Sequence, residues 1–180
     1  MSESYDFDRP DVVVPGTQGL PGQRTFFLQA IDQGRICSFK LEKQQVAALC
    51  EYLEGILAEL PDRLPSDPIA LPCALEPLGL LWTVGRLSVA YEDASERIII
   101  VADEVLEIDP DALDPDLDLD DVDALLALGL DPSSARFSLS RAQVAAFITV
   151  GNDLVRSGRA QCRLCGRPID PEGHACPRMN

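Results

Sequence analysis

Cys162, Cys165, His174 and Cys176 follow the spacing C-x2-C-x8-H-x-C, and they include the only histidine and three of the six cysteines of the chain. Three thiolates and one imidazole are a donor set for tetrahedral zinc. The run Cys162-Arg-Leu-Cys165-Gly166 suits a tight turn that puts two sulfurs on one metal, with glycine accepting the backbone. Eight residues then separate Cys165 from His174, room for a return loop that brings the other two vertices. Four protein ligands leave no open coordination position, so the ion's expected role is structural. So small a segment builds no core, and metal binding of order 10 kcal/mol would have to fold it. A redox role for Cys162-x-x-Cys165 fits less well, because thioredoxin-type pairs sit where a strand meets a helix.

A second cluster is Gly16, Gly19, Gly22 and Arg24, in G-T-Q-G-L-P-G-Q-R ahead of a strand-like run. Amides and a guanidinium in such a loop could cradle an anion. The lysine and following helix of a P-loop are missing, and a glycine-rich hairpin is the competing reading. Asp116, Asp118 and Asp120 occupy calcium-loop positions, but Asp121 and Ala127 replace the required glycine and glutamate. With His174 assigned to metal, no histidine remains for a Ser/His or Cys/His pair. Cys37, Cys50 and Cys73 read as small core hydrophobes.

The elements that carry these groups follow from periodicity. Phe39–Ala48 recurs as Phe137–Ala146 with six of ten positions identical, and in both copies an alternating strand runs into a helix. One helix is expected over about 42–60, with Val46, Leu49, Cys50, Leu53, Ile56, Leu57 and Leu60 on its apolar face. The other is expected over about 141–157, with Val144, Phe147, Ile148, Gly151, Leu154 and Val155. Ser140 and Gln143 form a capping box, and Gly158 offers a stop. Strands are expected near 11–14, 24–31, 35–41, 82–91 and 97–108. The pattern predicts an α+β fold: two pseudo-repeated β-β-β-α units in one mainly antiparallel sheet domain, residues 1–158. A zinc knuckle follows at 159–180. A proline-rich connector spans 61–77, and an acidic insertion, with a short helix at 122–128, spans about 109–134.

The net charge of −15 is unevenly spread, since residues 103–134, which include the insertion, hold 12 acidic groups and no basic one. Such a field disfavours generic binding to nucleic acid or anionic lipid. No run approaches the roughly 18 apolar residues of a membrane span. The acidic start is unlike a signal peptide, so a cytoplasmic location is expected, where cysteine clusters bind metal more often than they pair.

Three blocks, Gly16–Ala30, Leu41–Val46 and Cys162–Asn180, together resemble an uncharacterised bacterial family, the domain of unknown function numbered thirty-ninety. The resemblance covers nearly the whole chain, including an acidic insertion before the second Arg-Phe-x-Leu strand. It implies a single bacterial cytoplasmic domain with a C-terminal cysteine/histidine knuckle and no established activity. It also implies a protein partner, a kinase-like protein encoded nearby. Taken together, these readings predict a zinc-containing accessory or regulatory protein that acts by binding. The alternative is an enzyme for a small anionic substrate at the seam between the halves, held by Arg24.

Overall fold

In the computed structural model, the described residues are 2–20, 22–61, 70–106, 132–157, 162–166, 169 and 173–179. They form β1 (Ser4–Phe7), β2 (Val12–Gln18), β3 (Thr25–Asp32), β4 (Arg35–Leu41), α1 (Lys43–Glu59), β5 (Val84–Glu92), β6 (Arg97–Glu104), β7 (Ser134–Leu139) and α2 (Arg141–Arg156). The molecule is α+β, with mainly antiparallel pairing, as its periodicity predicts. The strands form two sheets instead of one, in the orders β1-β7-β6-β5 and β2-β3-β4.

The cause of the division is an exchange of strands. β1, which precedes the first half, runs parallel to β7 of the second, with Phe7 opposite Phe137. The stretch before β5 does the same for the first half. Lys40 N–H donates to Trp82 O, and Leu81 N–H to Ser38 O, each at 2.8 Å. Each half thus supplies the strand that closes the outer edge of the other half's last strand. Sequence pattern did not reveal β1, because four residues are too few to show alternation.

β2 also runs further than expected, past Pro15 to Gln18. As an edge strand it tolerates proline, whose missing N–H can face away from the ladder. Gly16 stands opposite Phe27. A Cβ on Gly16 would lie 2.3 Å from Phe27 Cζ and 2.7 Å from Ala74 Cβ, so the aromatic ring occupies the space of the absent side chain.

The core is centred on the echoed phenylalanines. Phe39 and Phe137 meet edge to face at 5.7 Å, Phe7 stacks on Phe137 at 5.2 Å, and Trp82 packs on Phe39 at 4.7 Å. Val46, Leu49, Cys50 and Leu53 of α1, and Val144, Phe147, Ile148 and Gly151 of α2, are buried against it. Ile56, Leu57, Leu60, Leu154 and Val155 complete the apolar faces, partly buried. A Cβ on Gly151 would come within 2.4 Å of Cys50 Sγ, which shows how closely the helices approach.

Two glutamines fix the helix starts. Gln143 Oε1 accepts from Ser140 N–H at 2.9 Å, and its Nε2 donates to Pro10 O at 2.8 Å. Gln45 Oε1 accepts from Glu42 N–H at 2.8 Å, and its Nε2 donates to Val84 O at 3.0 Å. Each caps its own helix and ties it to the other half, Gln45 to the start of β5 and Gln143 to the residue two before β2. A third glutamine holds the connector. The fully buried Gln29 donates to Leu75 O at 3.0 Å and accepts from Leu75 N–H at 2.8 Å, as a paired strand would.

The expected helix at 122–128, most of the acidic insertion, residues 62–69 of the connector and Gly158 lie outside the described residues. Among those described, no helix is long and apolar enough to cross a membrane.

Replacing Gln45 or Gln143 by alanine removes a cap and a cross-tie together, and each is expected to cost about 1–2 kcal/mol in urea unfolding. The two losses should add within about 0.5 kcal/mol, since they cap different helices. A loss at one site only would refute their equivalence. Gly16→Ala forces the Phe27 ring to move and should destabilise by about 1–3 kcal/mol, whereas an unchanged midpoint would contradict the packing described.

Candidate metal centre

Two short arms build the cysteine/histidine cluster. In the first, Gly166 N–H donates to Cys162 O at 2.8 Å, and Gly166 adopts φ +72°. That left-handed turn, natural for glycine, closes the arm that carries Cys162 and Cys165. In the second, Gly173 at φ +98° redirects the chain just before His174, and Met179 N–H donates to Cys176 O at 3.1 Å. Arg178 Nη1 donates to Leu164 O at 2.9 Å and ties the two arms together.

The four ligand atoms lie within 4.8 Å of one another. Cys162 Sγ is 3.7 Å from Cys176 Sγ, and Cys165 Sγ is 3.4 Å from His174 Nε2. A tetrahedron with Zn–S of about 2.3 Å and Zn–N of about 2.0 Å has S–S edges near 3.8 Å and S–N edges near 3.5 Å. The sulfurs are too far apart for a disulfide and are free thiols. Donor types, number and spacing all suit a metal ion, and the cluster could hold one.

The local electrostatics move two of the thiols in opposite directions. The Cys162 thiol is pulled down to about 6, chiefly by the Cys165 backbone amide, then by His174 and the Leu164 amide. The Arg178 amide pulls Cys176 down as well, but burial and the sulfurs of Cys162 and Cys165 outweigh it, so this thiol titrates above its ordinary value. A bound divalent cation would remove such like-charge repulsion.

The remaining cysteines divide. Cys37 and Cys50 are buried, as expected of core residues. Burial, with help from Glu54, pushes Cys50 up to about 11, the state of an inert thiol. Cys73 departs from the core reading and is exposed. It lies on the connector, which Gln29 fastens to the body at Leu75.

The glycine cluster has structural employment. Gly16 lies inside β2, and Gly19 (φ +98°) and Gly22 (φ +101°) shape the turn leading to β3. Arg24 Nη1 donates to Ser157 O at 2.7 Å and to Ser157 Oγ at 3.0 Å. The guanidinium therefore serves the C-terminal end of α2, where carbonyls lack partners and a cation is favourable. The seam between the halves is filled by Phe39, Phe137, Phe7 and Trp82. Sequence reasoning missed the tying roles of Gln29 and Gln45, although Gln45 repeats the position of the recognised cap Gln143.

No match was found among curated proteins or among solved structures. A family model described as "Protein of unknown function (DUF3090)" matches residues 5–176, from β1 to the last cysteine of the cluster. The chain therefore belongs to the DUF3090 family of proteins of unknown function.

Proposed function

We propose that Cys162, Cys165, His174 and Cys176 hold one structural zinc ion, and that the protein is a bacterial, cytoplasmic accessory or regulatory subunit that works by binding another protein. The observation that carries the metal assignment is the approach of three sulfurs and one imidazole nitrogen to within 4.8 Å of one another. Thiolate-rich sets favour zinc over hard cations, and a filled tetrahedron leaves no place for water or substrate. Zinc would hold the two arms and present the exposed Leu164 and Met179, which follow Arg163 and Arg178 in the chain. Exposed apolar side chains rimmed by charge suit a protein contact. The kinase-like protein implied by the family resemblance is the partner to test first. The Gly16–Arg24 hairpin, tied to the helix end just before the knuckle, is a second contact surface under this reading.

The echo at 39–48 and 137–146 is read as the trace of two units with one build. The matching pairs of hydrogen bonds made by Gln45 and Gln143 and the reciprocal strand exchange support this reading.

The purified protein is expected to contain about one zinc per chain. A strong chelator should collapse the amide signals of residues 162–179 while leaving those of residues 4–157 dispersed. Cys162→Ser and His174→Ala should each lower zinc affinity by at least tenfold. Lowering the pH should also release the metal, because its ligands must be deprotonated. A folded knuckle with no metal would overturn the assignment. Loss of partner capture on Cys162→Ser, with the body still folded, would support the knuckle as a contact surface; capture unaffected by zinc loss would refute it.

A further inference from the structure

We infer that the cysteine/histidine knuckle is also an oxidation site, where hydrogen peroxide joins Cys162 to Cys176 as a disulfide across the two arms and releases the metal. The release rests on the zinc reading and deepens it, whereas the disulfide needs only the two thiols.

Contact selects the pair. Cys162 Sγ and Cys176 Sγ are 3.7 Å apart, while Cys165 Sγ faces His174 Nε2 at 3.4 Å. Cys162 and Cys176 belong to different arms, so a bond between them is a cross-link and not a closure inside the Cys162-x-x-Cys165 turn. Forming it shortens one contact from 3.7 Å to a bond of about 2.0 Å, a small displacement for side chains on two short arms. The hydrogen bonds that shape the arms run to the backbone oxygens of Cys162, Cys176 and Leu164, so a shift of one sulfur does not break them.

Access limits what an oxidant reaches. Cys37 and Cys50 are buried in the core, whereas Cys162, Cys165 and Cys176 are half-buried in a segment that adds nothing to it. Cys73 is exposed, but it lies on the connector and outside the group of four ligand atoms that gather within 4.8 Å. Oxidation of a sulfur in the knuckle therefore finds a second sulfur already in contact, which favours a disulfide over further oxidation of the first.

The chemistry balances with peroxide as the only added oxidant. One thiolate of the pair attacks a peroxide oxygen, the O–O bond breaks, hydroxide leaves, and the sulfur becomes a sulfenic acid. The other thiolate attacks that sulfur, forms the S–S bond and expels a second hydroxide. Two electrons pass from the sulfurs to the peroxide oxygens, and two protons from solvent turn both hydroxides into water. Cys165 and His174 are then the donors left, half of the closed set that holds a structural zinc. The body keeps its fold, because its core contains none of the four residues.

The test treats the purified full-length protein with excess hydrogen peroxide and follows zinc release with a colorimetric chelator. Digestion with trypsin and a glutamate-specific protease cuts after Arg163 and Glu172, which puts the three cysteines on separate peptides for mass spectrometry. The expected result is an intramolecular Cys162–Cys176 disulfide, about one zinc freed per disulfide, and recovery of the site with a thiol reductant and zinc. Cys73→Ser should change neither yield nor release. Cys176→Ala should abolish the cross-link, whereas Cys165→Ala, which keeps both partner sulfurs, should retain it. A Cys162–Cys165 disulfide, a link between two chains, sulfinic acids without a disulfide, or zinc retained after the link forms would each overturn the inference. The two readings fail separately. A zinc-free purified protein removes the zinc reading and the release with it, and the mapped link still decides the disulfide; a zinc-loaded protein that forms no link sinks this inference alone.

Discussion

The last strand of a sheet carries backbone donors and acceptors that need partners, and here neither half provides them for itself. β7 is completed by β1 from the start of the chain, and β4 by Leu81–Thr83 from the approach to the second half. This constraint explains much else in the body. It brings Phe7 onto Phe137 and Trp82 onto Phe39, and it sets the two central phenylalanines edge to face. It also brings Val84 at the start of β5, and Pro10 just before β2, within reach of the other half's helix cap, where Gln45 and Gln143 bind their carbonyls. Unpaired strand edges cost both stability and solubility, so reciprocal completion is a reason for the halves to fold as one.

Among the described residues, the body closes on its own strands and aromatic core. The cysteine/histidine segment is the opposite case. Its described residues are half-buried or exposed, and they contribute nothing to the central core. Two glycine turns and one arginine-to-carbonyl bond shape it, which is little to set against the entropy of ordering the chain. Under the proposed assignment, coordination would supply the missing free energy, and a closed set of four ligands would direct it to shape instead of to chemistry.

How much was legible in the sequence depended on how local each signal was. The cysteine/histidine cluster was legible because its residue types and spacings sit within one short segment. Both helices were legible from period 3.6, and the Ser140 cap from its glutamine three residues on. β1 was not, because its partner lies 130 residues away and four residues show no period. The division into two sheets was hidden for the same reason. Gln29 looked like an ordinary polar residue in a strand, yet it is buried to pair with Leu75 on the connector. Gly16 looked like part of an anion loop, and only the position of the Phe27 ring explains it. Cys73 was misjudged because a connector held at one point can still turn its neighbours to solvent.

Zinc K-edge X-ray absorption on the purified, full-length protein tests the central claim most directly. The account predicts a first shell of about three sulfurs near 2.3 Å and one nitrogen near 2.0–2.1 Å, with no bound water. A zinc-free sample with an ordered knuckle, or a first shell dominated by oxygen and nitrogen, would contradict it.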